Sequence, residues 1–310
     1  MKALVTGGAG FIGANIVQQW IALGHQAVIL DNLSSGYAKN VHQDAEFIQG
    51  DIRDDRVVDQ AISGCKIVFN LAASVGNKRG IDHPVEDSEV NILGLLRILE
   101  AARRHKIHKV VQSSSAGIFG ELKTLPIRED HPQDPDTPYG VSKLAAEKHC
   151  IAYNKLYGMK NVCLRYFNVF GPLQRFDAYG NVIPIFATRA LQGGPLTIYG
   201  DGEQTRDFVH VEDVARANIR SALACDVKGV FNIGSGTRVS INSLARMVVD
   251  ASGTESSIVY GPERPGDVRD SLADVSSASQ AFGYHPQNIL EEGLSRYLEW
   301  LRVDMELKPL

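Results

Sequence analysis

A glycine cluster close to the start of the chain constrains the fold more than any other feature. An apolar run at residues 2–6 leads into Thr6-Gly7-Gly8-Ala9-Gly10-Phe11-Ile12-Gly13, and a helix-period pattern follows over 12–23. The glycines fit both G-x-G-x-x-G (Gly8, Gly10, Gly13) and G-x-x-G-x-x-G (Gly7, Gly10, Gly13). A strand, a side-chain-poor turn and a helix start let the backbone approach a pyrophosphate, whose charge meets N–H groups at the helix terminus. Such turns also occur without a ligand, so the next strand matters. It ends in Ile29-Leu30-Asp31, which places a carboxylate 18 residues beyond Gly13 with Asn32 beside it. That is where adenosine ribose hydroxyls are met in a dinucleotide fold. A carboxylate accepts from a free 2′-hydroxyl and repels a 2′-phosphate, and the next cation is only Lys39. NAD is therefore favoured over NADP. Asp51-Ile52, after a third apolar run, can hold the adenine amino group and pack its ring. An Asp that caps the next helix fits the local sequence equally well.

The pattern continues along the first half. Residues 2–6, 26–30, 46–49, 66–71, 109–112 and 161–166 read as buried strands, and 12–23, 56–62, 88–105 and 139–156 as helices. This alternation predicts an α/β fold, a Rossmann-type doubly wound parallel sheet with helices on both faces. From about Gly171 the texture changes to Pro- and Gly-punctuated loops with shorter elements. The expected division is a dinucleotide domain at 1–171, joined by a returning strand near 229–233, and a smaller α/β substrate domain at 172–310. The 32 basic against 36 acidic residues give a formal charge of −4, so no basic surplus exists to hold nucleic acid or an anionic membrane. Four scattered cysteines (Cys65, Cys150, Cys163, Cys225) and no His cluster read as buried thiols in a reducing compartment, with no metal expected. The first apolar run breaks at once into glycines, unlike a targeting core. The expectation is a cytoplasmic protein.

Tyr139-Gly140-Val141-Ser142-Lys143 puts a phenol and an ammonium four residues apart on one helix face. A Tyr, with a reference pKa of ~10, is a poor base at neutral pH. A neighbouring ammonium and a positive nicotinamide ring stabilise the phenolate, which can then take a proton from an alcohol. Upstream, Ser113-Ser114-Ser115 follows the strand 109–112, at the end of the sheet where ligands bind. A plain polar loop is the alternative for that run.

Taken together, these motifs resemble the extended short-chain dehydrogenase/reductase family, and within it the nucleotide-sugar epimerases and dehydratases. The likeness covers nearly the whole chain. It is carried by the glycine loop, Asn70-Leu71-Ala72-Ala73, residues 113–120, Pro138 to Lys143, Arg165-Tyr166-Phe167-Asn168, Arg206-Asp207-Phe208-Val209-His210-Val211 and Arg264-Pro265-Gly266-Asp267. The resemblance implies a triad of Ser115, Tyr139 and Lys143, with Tyr139 as base, Ser115 on the sugar hydroxyl and Lys143 on the nicotinamide ribose. It places Leu71, Ala72, Ala73, Asn91 and Ser113 along the cofactor channel, and Tyr166 and Phe167 beside the nicotinamide. Asn168, Arg206 and Arg264 are implied at the diphosphate of a UDP-sugar, with Asn181 and Asp267 near phosphate and uridine ribose. A homodimer through the helix of Tyr139 is implied too, with Leu144, Ala145, Cys150 and Ile151 able to serve that face or the core.

The residues after Ser115 bear on the reaction. Dehydratases of the family resemble Thr-Asp-Glu near this point, decarboxylases carry a Glu two places after the hydroxyl residue, and epimerases that abstract a carbon-bound proton carry a Cys. This chain has Ala116-Gly117. What remains is oxidation at C4, rotation of the ketone and return of the hydride to its other face. Four residues beyond Asp267, small Ser271 stands where glucose/galactose-restricted relatives often have Tyr. That is room for a 2-acetamido group, so UDP-GlcNAc and UDP-GalNAc join UDP-glucose and UDP-galactose as expected substrates. Two departures stand out: Asn70 where many relatives have His, and Phe119 where Val-Tyr-Gly is usual. A UDP-glucuronate 4-epimerase, a nucleotide-sugar reductase and a non-catalytic NAD-binding protein remain the alternatives.

Overall fold

The computed structural model describes residues 1–174, 176, 181–263 and 268–306. The first half runs β1 (Lys2–Thr6), α1 (Phe11–Ala22), β2 (Gln26–Asp31), β3 (Glu46–Gln49), α2 (Asp55–Ile62), β4 (Ile67–Asn70), α3 (Asn77–Asp82), α4 (Pro84–Ser88), α5 (Leu95–Arg104), β5 (Lys109–Ser115), α6 (Pro138–Tyr157) and β6 (Val162–Tyr166). The second half adds β7 (Asn168–Phe170), α7 (Val182–Leu191), β8 (Leu196–Tyr199), β9 (Thr205–Arg206), β10 (Phe208–His210), α8 (Val211–Leu223), β11 (Gly229–Ile233), β12 (Val239–Ser240), α9 (Ile241–Ser252), β13 (Ile258–Gly261), α10 (Ser276–Phe282) and α11 (Leu290–Asp304).

Seven strands form one parallel sheet in the order β11-β6-β5-β4-β1-β2-β3. Alternation of side chains along each strand feeds two cores. Ala3, Val5, Ile29 and Phe69 face α1 and α8, where Trp20 and Val214 are buried. Leu4, Val28, Val68 and Val110 face α2, α5 and α6. A third core in the second half gathers α7, α9 and α11 around Leu196, Ile198 and Phe186. The expected returning strand is β11, paired with β6 from Gly229↔Val162 to Ile233↔Tyr166. Because α8 and β11 both pack onto the first sheet, the chain crosses between the two halves more than once.

Three departures from the expected elements have local causes. The serine run is strand and not loop: β5 extends to Ser115, because Ser114 Oγ donates to Glu147 and the Ser113 oxygens accept from Lys143, which satisfies the polar groups that burial would otherwise strand. The helix expected over 88–105 is instead α4, a wide π-type turn over Glu89–Gly94, and α5. Gly94 sits against Ile52, where an added Cβ would lie 2.5 Å from the Ile52 side chain. Asn161 precedes β6 rather than opening it, since its N–H donates to Asn154 at 2.7 Å and its carbonyl accepts from the Asn154 amide. Of the four thiols, Cys65, Cys150 and Cys163 are buried, but Cys225 is exposed, contrary to the uniform burial read from the sequence. No helix among the described residues is long and apolar enough to cross a membrane.

Candidate active site

The strand order reverses between β4 and β2 on either side of β1, and at such a switch point the loops diverge to leave a crevice. A cleft of about 650 Å³ opens there. Its floor is the glycine loop. Gly7 takes a left-handed backbone (φ +66°), and a Cβ on it would lie 2.8 Å from Ala72 N. On Gly13 a Cβ would come within 2.1 Å of Gly7 O, so α1 can start this close to β1 only without a side chain there. No side chain caps α1 at Gly10 and no acid stands in its first turn, which leaves the positive helix end to an anion.

Gly7, Gly10, Phe11, Ile12, Gly13, Asp31, Asn32, Asp51, Ile52, Leu71, Ala72, Ala73, Ser113, Tyr139, Lys143, Tyr166 and Asn181 all line this one cleft. Asp31 accepts from Ala9 N at 3.0 Å and Leu33 N at 2.8 Å, one bond per oxygen, and each oxygen keeps acceptor capacity for a ribose hydroxyl. Asp51 is not the helix cap: Asp54 caps α2 by accepting from Arg56 N at 2.9 Å. Asp51 is instead gripped by Arg53 at 2.8 and 3.0 Å and by Asn32 at 2.9 Å, and the Arg53 hydrogen bonds hold its carboxyl down at about 2. The residues present therefore fit a dinucleotide: a cradle without side chains, a helix terminus and a ribose carboxylate.

The Tyr139–Lys143 pair sits where this cradle meets the end of β5. Thr137 caps α6 by accepting from Gly140 N at 3.2 Å, Pro138 opens the helix, and Gly158 closes it in the left-handed conformation, so Tyr139 and Lys143 occupy its first two turns. Lys143 Nζ donates to Ser113 O at 3.0 Å and Ser113 Oγ at 3.3 Å and lies 5.8 Å from the Tyr139 ring centroid. Burial lowers the Lys143 ammonium to about 8. Desolvation pushes the Tyr139 phenol up to about 12, and a hydrogen bond with Ser115 opposes it. Ser115 Oγ also accepts from Gly117 N at 3.1 Å, which orients it at the strand end.

Other expected residues fall outside the cleft wall. Asn91 is buried behind it: the amide accepts from Ser74 N at 2.9 Å and donates to Ser74 O and to Ser142 Oγ, so it carries the lining loop and does not line the channel itself. Phe167 is buried with Ile118, Phe119 and Ile127 and is not among the residues that line the cleft. Asn168, Arg206 and Ser271 come together around β9 and β10, outside the lining: Asn168 donates to Asp207 O, and Ser271 N to Thr205 O at 3.1 Å. Arg264 and Asp267 lie outside the described residues. Cys150 belongs to the core beneath α6 and cannot serve an outer face.

Both departures from the family pattern are structural. Asn70 accepts from Thr6 Oγ1 at 2.6 Å and donates to Gln112 at 2.7 Å, which ties β1, β4 and β5 together under the site. Phe119 is fully buried with Arg165 5.0 Å from its ring centroid, so the missing hydroxyl does not belong to the cleft. Sequence reasoning missed several lining residues: Ser34, Ser35, Tyr37, Asn40, Arg53, Arg79, Glu86 and Gln174. One signal for the first three was the Ser-Ser-Gly turn after Asp31, where Gly36 packs so tightly on Ala9 that a Cβ would lie 2.9 Å from its carbonyl carbon.

The chain is similar to known proteins along nearly its whole length. Residues 3–234 match the model of the NAD dependent epimerase/dehydratase family. The UDP-glucose 4-epimerase of Mycolicibacterium smegmatis is 37% identical over 314 residues, covering 97% of this chain and 99% of that protein. A UDP-N-acetylglucosamine 4-epimerase from Methanobrevibacter ruminantium, solved with UDP-N-acetylmuramic acid, superposes with a TM-score of 0.94 at 36% identity over 98% of this chain and 99% of its own. The Thermus thermophilus UDP-glucose 4-epimerase, solved with NAD, gives 0.89 at 37% identity over 97% and 99%.

Proposed function

We propose that this chain, which belongs to the NAD dependent epimerase/dehydratase family, inverts C4 of a UDP-hexose through a transient 4-keto sugar. The observation that carries the proposal is the placement of Tyr139 and Lys143 at the junction of the glycine cradle and the end of β5, followed after Ser115 only by Ala116-Gly117. Those two residues offer no further acid or base, and C4 inversion needs none.

Bound NAD supplies the oxidant for C4 and a positive ring that favours the phenolate. Tyr139 takes the C4 hydroxyl proton and later returns it. In the ligand-free protein burial disfavours its ionised form, so Ser115, the Lys143 ammonium and the cofactor charge must together bring it into range. Lys143, fixed by Ser113, would hold the nicotinamide ribose, and Asp31 the adenosine ribose. Asp51 and Ile52, which line the same cleft, would hold the adenine. Asn168 and Arg206 near β10, with Arg264, are the groups for the UDP diphosphate, while Asn181 at the start of α7 and Asp267 would stand near phosphate and uridine ribose.

UDP-glucose and UDP-galactose are the principal substrates in this reading, supported by the relatives named UDP-glucose 4-epimerase. UDP-GlcNAc and UDP-GalNAc are also accepted, supported by small Ser271 and by the N-acetylglucosamine 4-epimerase among the structural neighbours. A homodimer would use the outer face of α6, where Val141 is 52% exposed, together with Leu93 at 47%. Pure protein given UDP-glucose, UDP-GlcNAc or UDP-glucuronate separately, with products followed by NMR, tests the reaction. The C4 epimers of the first two are expected. Turnover of UDP-glucuronate alone, consumption of NADPH, or tightly held NAD without turnover would replace the proposal with one of its rivals. Ser271→Tyr should suppress the N-acetyl substrates selectively, and unchanged N-acetyl turnover would refute the steric argument.

A further inference from the structure

Among the described residues, the buried carboxylates divide into two kinds. Asp31 accepts from two backbone N–H groups, Glu147 is gripped by Arg165 and Ser114, Asp207 accepts from Ser235, Gly236 and Ala273, and Asp213 holds Gln287, Asn288 and Arg216. Asp87 differs. It is 0% exposed, and neither carboxylate oxygen has a hydrogen-bond partner. A buried carboxylate without hydrogen bonds is costly, so a fold that keeps one needs a charge nearby to justify it.

Tyr139 and Lys143 both stand on α6, the helix on which α4 packs. Helices α3 and α4 pack on the first turns of α6, and the approach is close: a Cβ on Gly80 of α3 would lie 2.9 Å from Tyr139 N. One turn past Asp87, Asn91 fastens the same segment to Ser142, the residue before Lys143. We propose that Asp87 is a positioning residue of the reaction, a buried counter-charge set behind α6 for the Tyr139–Lys143 pair. It keeps Lys143 an ammonium and lets Tyr139 return its proton as readily as it takes it. The inference rests on the epimerase reading, since only a reaction that oxidises and then reduces the same carbon needs the phenol to run in both directions.

The electrostatics agree in sign. The Asp87 carboxylate raises both the ammonium and the phenol, against burial in the first case and along with it in the second. The other titratable groups around the pair do not replace it. Cys163 on β6 acts on Lys143 as a lesser influence, Arg79 and Glu86 pair with each other at 3.6 Å on α3 and α4, and Glu147 on α6 is spent on Arg165.

The test is Asp87→Asn in the NAD-loaded enzyme. Loss of the negative charge should move both limbs of the kcat–pH profile down by roughly one pH unit, the acid limb through Tyr139 and the basic limb through Lys143. KM for UDP-glucose should stay within twofold, and Asp87→Glu should bring the limbs back. A profile superimposable on the wild type, or a variant that fails to fold, would overturn the proposal by making Asp87 a purely structural group. The Tyr139 phenolate can also be titrated by ultraviolet difference in the NAD-saturated protein with Tyr139→Phe as blank. It should ionise at lower pH in Asp87→Asn, and an unshifted titration would again overturn the proposal. This readout needs no turnover. A wild type inert toward UDP-hexoses would refute the reaction, and the titration would still decide the role of Asp87.

Discussion

Replacing Arg165 by methionine strips the partner from Glu147 in the most enclosed ion pair among the described residues, with side chains 1% and 0% exposed. Two Arg165 nitrogens engage the carboxylate, at 3.0 and 2.6 Å, and the third donates to Glu129 O at 2.8 Å. Methionine fills much of the volume, so the dominant cost is a carboxylate left buried with only Ser114 Oγ at 3.1 Å. Breaking a buried pair in this way costs about 3–5 kcal/mol. With an unfolding entropy near 2.1 cal/mol/K per residue, that corresponds to a Tm lower by ~5–8 °C for a chain of this length. Removing both partners together, Arg165→Met with Glu147→Leu, leaves no orphaned charge and should restore most of the loss. Denaturant titration or calorimetry on the two single variants and the double measures the cycle. A single variant within 1 kcal/mol of wild type, or a double no better than the worse single, would refute the assignment of this pair as a coupled buried charge. Activity should suffer too, because Ser114 lines the cleft and Glu147 lies one turn from Lys143.

Gly13→Ala forces a methyl to within 2.1 Å of Gly7 O, so the protein should lose co-purifying NAD while the far core keeps its fold; retained stoichiometric NAD would contradict the tight cradle. His210 is buried and its pKa is lowered to about 4 by desolvation. The unfolded chain then binds the extra proton between about pH 6.5 and 4, so stability should fall with pH across that window, and His210→Gln should flatten the fall. An unchanged slope in the variant would remove His210 from the account. Asp54→Ala should cost about 1 kcal/mol through loss of the α2 cap with no effect on turnover.

How far the sequence could be read depended on whether a residue's task was local. The cofactor cradle was legible because the turn geometry and the helix start both demand small residues at fixed spacing, and Asp31 follows from strand length. The Tyr139–Lys143 pair was legible from helical periodicity. Asn91 was misplaced because its task is tertiary: only the fold brings Ser74 and Ser142 to one amide. The serines of β5 read equally as loop, since their satisfaction comes from Lys143 and Glu147 some 30 residues away in sequence. Phe119 and Asn70 looked like changes in the site, yet both serve packing beneath it. Asp87 carries no pattern of its own. Its significance appears only when burial and the want of a partner are seen together.

In the proposed reaction the phenol at position 139 moves the sugar proton. Tyr139→Phe, measured for kcat with UDP-glucose alongside NAD content, tests it most directly. The expected result is a fall of about 10²–10⁴ in kcat with NAD still bound. Turnover within a few-fold of wild type would contradict the account.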